Sequence, residues 1–296
     1  LHRMGAYEAS RGITAMCPAT MTLPEDVLMR AAQAAAAYEP AANEAALVGI
    51  NMEGPFISPS KVGAQNPEYV RNPGVEEFRR LQEAAGGLFK IVDIAPEEPG
   101  ADEFIRELSG EVRISLAHTC ADYDTAAHAF ELGARHLTHL FNAMDPMHHR
   151  KPGPIPAAAE RDDVTPEIIA DGIHIHPAVV RTAFRQMPGR ICVVSDAMRL
   201  SGMPDGQGML GVNLVTVKDG RATLEDGTIA GSVTNLHDEL KNLVSWGIPL
   251  EEAVRAMTLT PAKEIGMDEE IGSIAVGKRA DLVVLDENLE IVAVYH

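Results

Sequence analysis

Ile114-Ser115-Leu116-Ala117-His118-Thr119 is a short apolar run that stops on an imidazole, and the same pattern recurs along the chain. The run at 47–52 stops on Glu53, the run at 135–140 carries His139, the run at 167–170 leads into Asp171 and His174, and the run at 191–194 leads through Ser195 to Asp196. With 13–17, 89–94 and 112–117, these make seven candidate strands, each short, apolar and bounded by turn residues. Between them, 24–38, 74–85, 122–133, 177–187 and 236–246 show helical spacing, good helix formers, and Pro or Asp near their starts. Alternation of this kind predicts a parallel sheet, open or closed.

A dinucleotide-binding sheet would carry a G-x-G-x-x-G turn after its first strand, but 13–17 runs into Pro18-Ala19-Thr20. A closed (β/α)₈ barrel instead gathers its chemistry at the carboxyl ends of several strands, and Glu53, His118, His139, Asp171 with His174, and Asp196 all stand at such ends if the run at 89–94 is set aside. The fold class read here is α/β: a (β/α)₈ TIM-type barrel lacking its first strand, followed by C-terminal strands of a small β-sandwich domain. Residues 1–268 are assigned to the barrel, with a hairpin insertion at about 209–232 marked by Asp219-Gly220 and Asp226-Gly227, and 269–296 to the small β-domain. Seven strands and a chain starting at Leu1 lead to the expectation that further sequence precedes it, and that this chain alone refolds poorly.

At 296 residues, 46% hydrophobic and 4% aromatic, the composition suits a globular enzyme rather than a disordered or fibrous protein. A net charge of −18, from 25 basic and 43 acidic residues, argues against nucleic acid or an anionic membrane as partner. No apolar run reaches the roughly 18 residues of a membrane span. Three widely spaced cysteines indicate neither a disulfide framework nor a metal clip, which points to a reducing cytoplasm.

Glu53, His118 and His139 would each be unremarkable alone. Together, a carboxylate and two imidazoles on separate strand ends make the three-ligand shell of a catalytic divalent site that keeps a coordination position open. His136, three residues before His139, is expected to alternate away from the barrel interior. Asp196 either caps the next helix or serves as general base beside the metal; the alignment with other strand ends favours catalysis. His148-His149-Arg150-Lys151 and Asp171-Gly172-Ile173-His174 are loop-borne donors, with Arg150 suited to gripping an anion such as a phosphate and His174 to contacting substrate beside it.

Six segments in order, Met52-Glu53-Gly54-Pro55-Phe56, Ala117-His118-Thr119, Thr138-His139-Leu140-Phe141-Asn142-Ala143-Met144, His148-His149-Arg150, Ile169-Ala170-Asp171-Gly172-Ile173-His174 and Val194-Ser195-Asp196-Ala197, resemble the N-acetylglucosamine-6-phosphate deacetylases of the amidohydrolase superfamily. The resemblance covers nearly the whole chain. It implies Glu53, His118 and His139 as metal ligands and Asp196 as catalytic acid/base. It also implies Ala64, Gln65, Asn142, Ala143, Arg150, His174, Ala230 and Gly231 as contacts to the amino-sugar phosphate, and a homodimer in which Arg150 serves the neighbouring site. The expected cofactor is a divalent metal, zinc first and iron, manganese or cobalt next, with a second metal site supplied by sequence upstream of Leu1.

One position departs from the family pattern: Gln65 in Gly63-Ala64-Gln65-Asn66 stands where the family usually has a histidine that polarises the acetamide carbonyl. A Gln amide donates a hydrogen bond but carries no positive charge, so weaker oxyanion stabilisation or a different N-acyl sugar is expected. The alternatives to the deacetylase are action on N-acetylgalactosamine 6-phosphate, another amidohydrolase activity, and a non-catalytic sugar-phosphate-binding member.

Overall fold

The computed structural model describes residues 1–296. Its first eight strands follow chain order: β1 (Ala15–Met16), β2 (Ala46–Leu47), β3 (Ile50–Met52), β4 (Phe89–Ile94), β5 (Arg113–Leu116), β6 (His136–Leu137), β7 (Thr165–Ile168) and β8 (Cys192–Val193). β3 to β8 form one six-stranded parallel sheet in sequence order, while β1 pairs in parallel with β2. The expected strand at 47–52 is thus split, its first half pairing with β1 and its second with β4. Backbone bonds from Asn51 N to Pro18 O (3.0 Å) and from Thr20 N to Asn51 O (2.9 Å) continue the β1 edge onto β3. The result is a curled, TIM-type (β/α) barrel sheet, open along the seam between β1 and β8.

Ten α-helices accompany the sheet: α1 (His2–Ser10), α2 (Glu25–Ala36), α3 (Val75–Ala84), α4 (Ala101–Leu108), α5 (Tyr123–Leu132), α6 (Pro154–Ala159), α7 (Pro177–Gln186), α8 (Leu236–Ser245), α9 (Leu250–Met257) and α10 (Leu259–Glu264). α2 shows why they form: acidic Glu25 and Asp26 sit in its first turn, and Leu28, Ala32 and Ala35 recur at helical spacing on its buried face. Phe104 of α4 packs edge-on against Phe56 (5.3 Å between centroids) and Phe78 of α3 (5.8 Å). Each such pair adds about 0.5–1.5 kcal/mol to what burial of the rings contributes. These side chains belong to one core of 45 buried residues between sheet and helices, which holds the strand ends in place.

After β8 comes a second sheet, β9 (Gly206–Leu210), β10 (Asn213–Lys218) and β11 (Arg221–Thr223), all antiparallel. It begins a few residues before the hairpin expected at 209–232 and has three strands. Val215 and Val217 alternate onto its inner face and join Ala222, Met198 and Ala230 in a small core of their own. At the chain's end β12 (Leu282–Leu285) and β13 (Ile291–Tyr295) form an antiparallel pair where turn and strand were read from sequence. No helix is long and apolar enough to cross a membrane.

Candidate active site

The ends of β3, β5 and β6 deliver Glu53, His118 and His139, all buried, with one ligand atom from each within 4.8 Å of the others. Sheet geometry alone does not produce this convergence. His118 and His139 have φ of 44° and 30°, in the left-handed region that non-glycine residues reach at a cost of about 1–3 kcal/mol. Neighbours hold them there: Ser58 N donates to His118 O (2.9 Å), Cys120 N donates to the Glu97 carboxylate (2.5 Å), and His139 N donates to Glu167 Oε2 (3.3 Å).

His118 Nδ1 donates to the Lys61 carbonyl (2.7 Å), which leaves Nε2 aimed at Glu53 Oε1 (2.9 Å) and at His139 Nε2 (3.2 Å). His139 Nε2 lies 3.6 Å from the same Glu53 oxygen. Burial by itself would raise the Glu53 carboxyl, but hydrogen bonds to His118 and His139 outweigh it and hold the group well below the usual carboxylate range. Burial likewise disfavours a charged His139, yet the Glu53 hydrogen bond lifts that imidazole to about 10. The cluster therefore calls for positive charge at its centre. One carboxylate oxygen and two imidazole nitrogens on a common point, with no thiolate among them, fit a divalent cation with an open coordination position.

Asp196 follows β8 with φ 45°, and its carbonyl accepts the Ser232 N–H at 2.7 Å. Met198 N returns a bond to Ser232 O (2.9 Å), and Ser232 Oγ donates to Ser195 O (2.5 Å). The loop after the β9–β11 sheet thus clamps the backbone that carries Asp196. Burial first, and then the negative charge of Glu53, raise the Asp196 carboxyl to about 6, within working range for proton transfer near neutrality.

A cavity of 2010 Å³ opens at these strand ends and runs along the seam; Glu53, His118, His139, Asp196, Ala64, Gln65, Asn142, Ala143, His174 and Gly231 all line it. His174 is oriented by Asp171, which accepts its Nδ1–H at 2.7 Å and the backbone N–H groups of Ile173 (2.8 Å) and His174 (2.9 Å). Burial would raise Asp171, but the His174 hydrogen bond prevails and keeps its carboxyl below the ordinary value. Asn142 spends its side-chain N–H bonds on the carbonyls of His139 (3.1 Å) and Leu140 (3.2 Å), which leaves its Oδ1 as the group available to a ligand. Gln65 accepts the Thr22 N–H (2.8 Å) and donates Nε2 to Glu53 Oε1 (3.1 Å).

Two of the residues selected from sequence lie off this surface. Ala230 is fully buried in the small core under the β9–β11 sheet, one residue from the lining. Arg150 is exposed on the loop after the β6 end, beside His149 (2.5 Å), outside the cavity of its own chain. His136 needs a correction: it faces the interior, fully buried, with Nδ1 3.0 Å from Ser115 Oγ and Nε2 3.6 Å from Glu167 Oε1. The strand stops at Leu137 and the left-handed turn at His139 breaks the alternation, so both histidines end up inside. Burial depresses His136 to about 3 and keeps its ring neutral.

Thr22, Lys61, Glu97 and Glu167 were not singled out from sequence. Thr22 and Lys61 act through backbone atoms, which leave no residue-type signal, and the partners of Glu97 and Glu167 are 23 and 28 residues distant.

Residues 4–295 match the amidohydrolase family profile. The chain is 39% identical over 300 residues to the N-acetylglucosamine-6-phosphate deacetylase of Bacillus subtilis (strain 168), covering 98% of this chain and 75% of that protein. It is 33% identical over 297 residues to the N-acetylgalactosamine-6-phosphate deacetylase of Escherichia coli O157:H7, covering 98% and 78%. In structure it resembles a mutant N-acetyl-D-glucosamine-6-phosphate deacetylase of Mycobacterium smegmatis in complex with N-acetyl-D-glucosamine-6-phosphate, with TM-score 0.91, 35% identity, and 97% and 77% of the two chains covered. The Thermotoga maritima N-acetylglucosamine-6-phosphate deacetylase gives TM-score 0.90 at 30% identity, with 99% and 80% covered. The chain belongs to the amidohydrolase family.

Proposed function

We propose that this protein hydrolyses the acetamide of N-acetylglucosamine 6-phosphate, releasing acetate and glucosamine 6-phosphate. The observation that carries this reading is the Glu53–His118–His139 cluster, placed in one cavity with a half-buried Asp196 raised to about 6. Relatives that share almost the whole chain carry this activity in their names.

Glu53, His118 and His139 would hold a divalent cation, zinc by preference. Such an ion supplies Lewis acidity toward the acyl oxygen and lowers the pKa of water toward about 7. Asp196 takes a proton from the attacking water and returns it to the amide nitrogen as the C–N bond breaks, so the sugar leaves as its amine. The Gln65 N–H not used on Glu53 is uncommitted in the cavity lining and would stabilise charge developing on the acyl oxygen, less strongly than a cationic group would. His174, its Nδ1 committed to Asp171, presents Nε2 to the sugar, while Asn142, Ala143 and Gly231 shape the wall around it. Arg150 acts on the 6-phosphate of a second copy in a homodimer, which accounts for its place outside its own cavity.

The E. coli relative favours a second reading, the galactosamine epimer as substrate, since that protein matches over the same span. The deciding experiment is acetate release from both 6-phosphates, with and without chelator. Chelator-sensitive release from the glucosamine derivative is the expected result. No release from either sugar by metal-loaded protein would overturn the assignment.

A further inference from the structure

We propose that Gln65 is a positioning residue for the Glu53 carboxylate: its amide, locked by the Thr22 backbone N–H, fixes the rotamer in which Glu53 presents Oε1 to a divalent cation. This rests on the metal-site part of the functional reading and not on the identity of the sugar.

The orientation of the Gln65 amide is forced from both ends. Thr22 N can only donate, so the atom 2.8 Å from it is Oε1, and Nε2 must then face Glu53 Oε1 at 3.1 Å. Flipping the amide would set N–H against N–H on one side and oxygen against carboxylate on the other. Gln65 is 7% exposed, so water offers no ready substitute for either bond.

The bond gains weight from what the imidazoles do. His118 gives its Nδ1 proton to Lys61 O, so in the neutral ring Nε2 carries a lone pair and has nothing to donate to Glu53. Once both Nε2 lone pairs serve a cation, Gln65 is the one side chain still donating to the Glu53 carboxylate. Carboxylate ligands depend on such donors for orientation, and their loss commonly costs 10–100-fold in metal affinity. The support reaches further out. Asn213 of β10 donates to the Ala64 carbonyl at 2.9 Å, tying the Gln65 loop to the β9–β11 sheet, while Thr22 ties it to the segment after β1. Two other parts of the chain therefore hold the loop whose Gln65 donates to the Glu53 carboxylate.

The test titrates metal-free purified protein with Zn²⁺ against a chromogenic chelator, with no sugar present, and compares wild type with Gln65→Met and Gln65→Glu. Gln65→Met keeps length without donors and should raise the Kd by about 10–100-fold. Gln65→Glu is isosteric, keeps the Thr22 bond and sets a carboxylate against Glu53, so its loss should be at least as large. Cobalt-loaded variants should show altered visible d–d bands. Circular dichroism checks that each variant folds, and if Gln65→Met does not, Gln65→Glu decides. Wild-type affinity with an unchanged cobalt spectrum in a folded variant would overturn the proposal. So would tighter binding by Gln65→Glu, because position 65 would then reach the cation itself. Since no sugar enters the measurement, an error in the substrate assignment leaves the result unaffected.

Discussion

The Ser232 backbone N–H donates to the carbonyl of Asp196 at 2.7 Å, so the residue proposed to move the proton is held by a loop 36 positions further along the chain. Between them lies the β9–β11 sheet, whose inner face packs Val215 and Val217 against Met198 and Ala230. The insertion thereby braces the strand end that carries Asp196, and through the Asn213 bond to the Ala64 carbonyl it also holds the loop of Gln65, which lines the same cavity.

This brace is sensitive at Gly231, which has φ +61° and whose added Cβ would lie 3.1 Å from the Asp196 carbonyl oxygen. Gly231→Ala should shift that carbonyl by a few tenths of an ångström and lower kcat about 10–100-fold, with bound metal unchanged. Steady-state kinetics with metal analysis checks it; undiminished kcat would show that the clamp does not position Asp196.

Asp196→Asn should reduce kcat by about 10²–10⁴-fold without loss of metal. The wild-type carboxylate acts as a base only when ionised. Burial and the Glu53 charge raise its pKa to about 6, so kcat/KM should fall as pH drops through a limb at or below about 6, a bound dication moving it lower. A limb above pH 7, or one that persists in the residual activity of Asp196→Asn, would contradict this assignment.

Arg150 stands exposed outside the cavity of its own chain. In the dimeric reading, Arg150→Ala should raise KM for a 6-phosphorylated substrate by about 10–100-fold, the equivalent of a lost charge-assisted hydrogen bond, with kcat little changed. Mixed oligomers of Arg150→Ala and Asp196→Asn should recover a kcat/KM that neither homo-oligomer reaches. Mixing without recovery would place the phosphate contact elsewhere.

Glu239 of α8 is fully buried, and its carboxylate has no partner beyond a weak approach of the Ala170 backbone N–H. Burial, aided by the charges of Asp171 and Asp196, raises its pKa well above 4.5. A folded-state pKa above the unfolded value means that stability is lost as pH rises from about the unfolded value toward the folded one. Glu239→Met should therefore stabilise the protein by about 1–3 kcal/mol at pH 8 and by less at pH 5, read as the difference in thermal midpoints. Equal midpoints at pH 8 would show that the carboxylate has a stabilising role after all.

The sequence by itself determined the order of strands and helices and singled out Glu53, His118 and His139, the three side chains that the structure brings together. Apolar runs of four to six residues that lead to Glu53, His118 and Asp196 or carry His139 are local patterns, and each strand's polar end is written into its own residues. Alternation misplaced His136, because period-two reasoning assumes that the strand continues, and this one ends at Leu137. Whether a chain leaves a strand through a left-handed turn, as at His118, His139 and Asp196, depends on distant bonds to Ser58, Glu167 and Ser232. The same limit hid the second bond of Gln65, legible as a departure from a family pattern but not as a donor to Glu53. Tertiary structure alone decided these points, since strained backbone and amide orientation are set by groups close in space and far apart in sequence, where residue type carries no record of the partner.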